Sequence, residues 1–138
     1  MPAPGLLFLC VANSSRSQMA EGLARRAFGP DVRVQSAGSR ATHVNPLAVA
    51  VMQESGIDIS DQSSKAVDAI DPTTVGVVIT LCAEEVCPAF LGAARHLHWS
   101  LPDPTVYAEG DAGLAVFRAT RDEIGRRLEG LRAELDGQ

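Results

Sequence analysis

The chain has 138 residues, 46% of them hydrophobic and 21% charged, which is the size and composition of one globular domain built on one core. A net charge of -5 and an isoelectric point near 5.1 exclude a general binder of nucleic acid or anionic membranes, whose polyanionic faces call for basic partners. The N-terminal apolar run, Leu6 to Leu9, has no basic start and falls far short of the ~20 residues of a membrane span; a cytoplasmic protein is expected.

In chain order, Leu6 to Val11 reads as a strand covered on both faces, and it breaks into Ala-Asn-Ser-Ser before Arg16. From Ser17 the spacing of Met19, Leu23, Ala24 and Ala27 predicts a helix closed by Gly29-Pro30. Val32, Val34 and Ser36 alternate as in a second strand. Asn45-Pro46 opens a helix that runs to about Gly56, whose glycine fits a C-terminal cap. Asp61 to Thr74 is polar, with Asp71-Pro72 as a turn. Val75 to Leu81 is the most strand-like run of all and ends on Cys82. His96 to Leu101 gives a further short strand, and Leu114, Phe117, Ile124, Leu128, Leu131 and Leu135 mark one face of a long terminal helix. Strands alternating with helices imply an α/β fold with a doubly wound sheet of about four parallel strands. Ligands of such sheets bind at the carboxyl ends of the strands, where Cys10 to Arg16, Cys82 and Asp103 all fall. Trp99 reads as core.

Between the first strand and the first helix lies Cys10-Val11-Ala12-Asn13-Ser14-Ser15-Arg16-Ser17. Backbone N–H groups of a short loop and of a helix first turn point inward, and the helix dipole adds partial positive charge, so a dianion can sit there. The same field favours a thiolate over a thiol. Arg16 supplies a planar bidentate guanidinium. Ser14, Ser15 and Ser17 add hydroxyls, with Ser17 in reach of the sulfur, and Asn13 tolerates a left-handed backbone. The plainer alternative makes Cys10 the last core residue of a strand and Arg16 a surface residue; the strand-to-helix context favours the anion loop.

A thiolate that attacks the central atom of a tetrahedral oxyanion must expel an oxygen, and protonating that oxygen needs a nearby carboxylic acid. Asp103, in Leu-Pro-Asp-Pro after the last strand, is the candidate, although an Asp between prolines also serves as a simple turn residue. Three cysteines in a cytosolic chain do not make a structural disulfide framework. Cys82 and Cys87 have no use in a hydrolase, whereas an enzyme that reduces its substrate needs a thiol pair to supply two electrons. Idle buried thiols remain an alternative. A zinc site with His96 and His98 matches no common ligand spacing, and His43, His96 and His98 receive no role.

The loop resembles the signature loop of the low-molecular-weight phosphotyrosine phosphatase fold, shared by true phosphatases and one class of arsenate reductases. Leu81-Cys82 and Cys87-Pro88 resemble the further cysteines of the thioredoxin-coupled arsenate reductases. Asn13 to Gly22, Ser36-Ala37-Gly38, Gly56-Ile57-Asp58-Ile59-Ser60 and Asp122-Glu123-Ile124-Gly125 extend the likeness over nearly the whole chain, as one domain over residues 1–138.

The resemblance implies that Cys10 is the nucleophile, Arg16 the oxyanion binder, Ser17 the thiolate partner and Asp103 the general acid. Val11, Ala12, Asn13, Ser14, Ser15 and Arg16 would then hold arsenate, or phosphate or sulfate as analogues. It further implies a Cys10–Cys82 and then a Cys82–Cys87 disulfide, reduced by thioredoxin with NADPH through thioredoxin reductase. No tightly bound cofactor is implied, and the expected state is a monomer with no nucleic-acid or membrane partner. If Ala83 to Val86 begin a helical turn, the two sulfurs five apart do not share a face, so a rearranging segment from about Cys82 to Gly92 is expected.

Some members hold potassium through Asn, Ser, Thr and Asp. Asn13 and Ser36 fit that set and Ser63 can replace Thr, but Lys65 stands where the Asp would, which argues against a potassium site. Lys65 itself reads as an exposed lysine, with occupation of the cation's place as the alternative. The phosphatases' tandem tyrosines after Asp-Pro are absent, since only Tyr107 occurs there. A phosphatase and a non-catalytic oxyanion-binding module remain as competing readings.

Overall fold

The computed structural model describes residues 5–83, 90, 95–106 and 110–136. Their centre is β1 (Leu6–Cys10), five consecutive buried residues. On one side it pairs in parallel with β2 (Val34–Gly38), and on the other with β3 (Val77–Thr80), which in turn pairs in parallel with β4 (Arg95–His98). The strand order is β2-β1-β3-β4. The register sets Leu6 between Val34 and Val77 and brings Cys10 opposite Gly38, so Cys10 is the last residue of the central ladder.

Alternation along β1 divides the core in two, as a period of two requires. Leu6 and Phe8 join Val77 and Ile79 in a cluster with Met19, Ala20 and Ala24 of α1 (Arg16–Phe28), Ala48, Val51 and Met52 of α2 (Pro46–Glu54), and Phe117, Ile124, Leu128 and Leu131 of α3 (Gly110–Asp136). Leu7 and Leu9 face the other way and meet Ala37, Ile70, Val75 and Val78. Trp99 belongs to the first cluster, its ring centroid 6.3 Å from that of Phe8.

Local chemistry sets the boundaries. Gly29, at φ +75°, ends α1 by donating its N–H to the Arg25 carbonyl. Asn45 caps α2 through its side-chain oxygen, which accepts from the Leu47 N–H at 2.8 Å, and Pro46 occupies the first turn, where no N–H is missed. The cap at the other end of α2 is Ser55, and Gly56 follows it at φ +76°, the left-handed position that a glycine fills at no steric cost.

Three expectations shift. The polar segment before β3 contains two short 3-10 turns, Val67–Ala69 and Pro72–Thr74. Val75 N–H donates to the Pro72 carbonyl, which ties Val75 to the turn and delays β3 to Val77; Cys82 then lies two residues beyond the strand. The last strand runs Arg95–His98 and stops short of Leu101, because β3 offers no ladder beyond Thr80. Trp99 and Leu101 keep single bonds to the carbonyls of Thr80 and Leu81. No helix among the described residues is long and apolar enough to cross a membrane.

Candidate active site

The loop after β1 turns sharply at Asn13, whose φ of +48° is the one positive value among described non-glycine residues. Its carbonyls are used up on the outside: Val11 O accepts from Arg40 N–H, Ala12 O from Thr42 N–H and the Ser64 hydroxyl, Asn13 O from Gln18 Nε2, and Ser14 O from Asn45 N–H. In a trans peptide the N–H points opposite to the C=O, so these bonds turn the following amides toward the inside of the loop. Gly38 makes the turn possible, because a Cβ there would stand 2.3 Å from Val11 O, 2.8 Å from Cys10 O and 2.9 Å from Asn13 N.

Cys10, Ala12, Ser14, Ser15, Arg16, His43, Asn45, Asp103 and Thr105 line one cavity of about 240 Å³, ample room for a tetrahedral oxyanion. Cys10 is a free thiol, and its sulfur lies 2.8 Å from Ser17 Oγ. Ser15 Oγ is a buried side-chain oxygen with no hydrogen-bond partner, a hydroxyl available to whatever fills the cavity. Arg16 is 4% exposed; its Nη1 donates to Leu101 O at 2.9 Å, and its Nη2 lies 3.9 Å from Asp103 Oδ2. The other Asp103 oxygen accepts from the N–H and hydroxyl of Thr105, at 2.9 and 2.7 Å, so Asp103 caps the short turn Pro104–Val106 while Oδ2 faces the guanidinium.

Behind the loop lies a buried polar network. Asn13 Nδ2 donates to Ser17 Oγ at 2.8 Å and to Ser36 Oγ at 2.9 Å, while its Oδ1 accepts from Gln18 Nε2 and from Lys65 N–H. Ser36 donates to Glu21 Oε1 at 2.6 Å, and Arg25 donates to Glu21 Oε2 at 2.6 Å. Lys65 is only partly exposed, which corrects the expectation of a surface lysine. Its Nζ donates to the Ser63 carbonyl at 2.8 Å and stands 3.8 Å from Glu21 Oε1. Ser63 contributes that carbonyl to the network.

Of the residues singled out from sequence, Cys10, Ala12, Ser14, Ser15, Arg16 and Asp103 meet at the cavity. Asn13 and Ser17 sit directly behind it, and Val11 serves the turn through its carbonyl. Cys82 is buried past the end of β3 and disulfide-bonded. Cys87 and most of the segment proposed to rearrange lie outside the described residues. Sequence reasoning gave no role at the site to Glu21, Gln18 or His43, and read Asn45 only as the opening of a helix. The usable signal was Glu21 on the helix face that carries Ser17 and Ala24, a carboxylate where an amphipathic helix should be apolar.

Residues 5–138 match the family model for low molecular weight phosphotyrosine protein phosphatase. An arsenate reductase of Halalkalibacterium halodurans is 46% identical over 128 residues, covering 90% of this chain and 91% of that protein. A solved structure of an arsenate reductase in the phosphate binding state superposes with a TM-score of 0.81 at 35% identity, over 96% of this chain and 98% of the other. A thioredoxin-dependent arsenate reductase of Corynebacterium glutamicum gives 0.73 at 31% identity, over 98% of this chain and 63% of its own. With its strand-to-helix anion loop, parallel sheet and near full-length match, the chain belongs to the low molecular weight phosphotyrosine protein phosphatase family, among the arsenate reductases.

Proposed function

We propose that this protein reduces arsenate to arsenite, with Cys10 as nucleophile and electrons drawn from thioredoxin through Cys82 and Cys87. The observation that carries the reading is the shared cavity of Cys10, Arg16 and Asp103, in a chain whose near full-length relatives are arsenate reductases. The Cys10 thiolate attacks arsenic, the inward amides and Arg16 hold the oxyanion, and Asp103 gives a proton to the departing oxygen, which leaves as water. The Cys82 thiolate then attacks the Cys10 sulfur. The electron pair of the S–As bond goes to arsenic, which leaves as arsenite, and a Cys10–Cys82 disulfide remains. Cys87 attacks Cys82 and frees Cys10, and a dithiol of thioredoxin reduces the resulting Cys82–Cys87 disulfide while being oxidised itself. The disulfide state of Cys82 beside a free Cys10 supports a redox role for that residue. The enzyme needs no tightly bound cofactor and works as a cytoplasmic monomer.

The family model favours one other reading, a hydrolase in which water resolves a phosphorylated Cys10. Arsenite production in the presence of thioredoxin, thioredoxin reductase and NADPH separates the two. Turnover by the intact protein that stops in both Cys82→Ser and Cys87→Ser establishes the relay. No arsenite, with aryl phosphate hydrolysis indifferent to both substitutions, leaves a phosphatase.

A further inference from the structure

We infer that Lys65 is a positioning residue for Cys10: its ammonium holds the buried Glu21 carboxylate at the head of a one-way chain of hydrogen bonds that directs the Ser17 hydroxyl proton at the Cys10 sulfur. The inference rests on Cys10 being the nucleophile.

The direction of the chain follows from what each group can do. An ionised carboxylate only accepts, so Ser36 spends its proton on Glu21 Oε1. Ser36 Oγ is then left to accept, and it takes one Asn13 Nδ2 proton. The orientation of the Asn13 amide is fixed by the backbone N–H of Lys65, which needs Oδ1 as its acceptor at 2.7 Å. The second Nδ2 proton goes to Ser17 Oγ. Ser17, having accepted, has its own proton free for Cys10 Sγ at 2.8 Å, the arrangement that stabilises a thiolate and sharpens its attack.

The head of the chain is the costly part. Glu21 is 1% exposed, and a buried carboxylate persists only with partners of opposite charge. Arg25 serves one oxygen, but its own side chain is 58% exposed. The oxygen that binds Ser36 faces Lys65, whose Nζ is anchored on Ser63 O and whose backbone is anchored on Asn13. The ammonium is thus tethered to the very loop it serves. Without it the Glu21 oxygen that takes the Ser36 proton loses the cation that faces it; the chain loses its fixed head, and the carboxylate charge, no longer offset on that side, opposes negative charge on sulfur. The charged and titratable groups on the cavity side, Arg16, Asp103 and His43, lie across the loop from Lys65 and are untouched.

The test is the rate at which iodoacetamide labels Cys10 at neutral pH, resolved by peptide mapping, together with the affinity for inorganic phosphate. Lys65→Met should slow labelling by roughly three- to tenfold with phosphate affinity unchanged, and Lys65→Arg should restore most of the rate. In a Glu21→Gln background Lys65→Met should add nothing. The inference fails if Lys65→Met labels at the original rate, if labelling and phosphate affinity fall together as they would in a collapsed loop, or if Lys65→Met slows labelling equally without Glu21. Arsenate does not enter this test, so a failure to make arsenite leaves it standing. An intact protein whose Cys10 resists labelling at neutral pH overturns both.

Discussion

Helices α1 and α3 pack against each other and bury opposite chemistry. The first half of α1 buries Arg16, Ser17, Gln18 and Glu21 beside Met19 and Ala20, and each of these polar groups has named partners. α3 buries Phe117, Ile124, Leu128 and Leu131 and keeps its charges off that stripe, with Arg126 and Arg127 on Glu123 and with Arg118 and Arg121 on Glu54. An apolar stripe is judged by volume, and small rearrangements absorb much of a change. A buried polar network is judged bond by bond, because each lost partner strands another group. Stability should therefore reside mainly in α3 and reactivity in α1.

The largest expected effect tests the first half of that division. Phe117, 1% exposed, sits in the main cluster, and Phe117→Ala should cost about 3–5 kcal/mol, read as a lower midpoint in denaturant unfolding. Phosphate affinity and Cys10 labelling per folded molecule should not move; if they do, α3 reaches the site and the division is wrong. Next is Arg16→Lys, which keeps the charge but loses the fork that spans Leu101 O and the cavity. Arsenite production should fall by roughly 10²–10³ with little change in melting temperature. A stability loss as large as the activity loss would make Arg16 a strut instead.

The sequence was most readable where interactions are local. The unbroken run of β1, the glycine after α1, the Asn45-Pro46 cap and the stripe of α3 are each written within a few residues. So is the loop, since Asn13 takes the left-handed conformation and Ser17 meets the sulfur. Glu21 was hidden because Arg25, four residues on, makes it look like half of a surface pair; its burial comes from Ser36 on β2 and from the segment of Lys65, contacts no periodicity records. Lys65 misled for the same reason. Its sequence neighbours Ser63 and Ser64 suggest solvent, yet its backbone N–H is drawn to Asn13 and its carbonyl to Gly38 N–H, which turns the side chain inward. His43 and Asn45 reach the cavity wall as the loop bends back to bond Ser14 O.

Two glycines sharpen the contrast. At Gly38 a methyl would press on three backbone atoms of the anion loop, and backbone cannot step aside cheaply; Gly38→Ala should cost about 1–3 kcal/mol and weaken phosphate binding in a titration. At Gly125 in α3 a Cβ meets nothing within 4 Å. Gly125→Ala should stabilise the helix by up to about 1 kcal/mol and leave phosphate binding alone. Equal effects at the two positions would erase the distinction.

The smallest effect concerns the charges on the outer side of α3. Hydrogen bonds from Arg118, at 3.0 and 2.8 Å, and from Arg121, at 3.0 Å, hold the Glu54 carboxyl down to about 2, tying the end of α2 to α3. A carboxyl that is more acidic folded than unfolded binds fewer protons in the folded state, so its contribution is fully present above the ordinary value of 4.5 and is lost as pH falls from there toward 2. The group is exposed, so the contribution is small and screened by salt. Glu54→Gln should lower the melting temperature slightly at neutral pH, less in high salt, and the gap to the intact protein should close as the pH is lowered below about 4.5. A gap that persists into acid, or that ignores salt, would mean that Glu54 acts through packing at the end of α2. Reactivity of Cys10 should be blind to the substitution throughout, because among the described residues none of the hydrogen bonds of this clamp reaches the network that ends on sulfur.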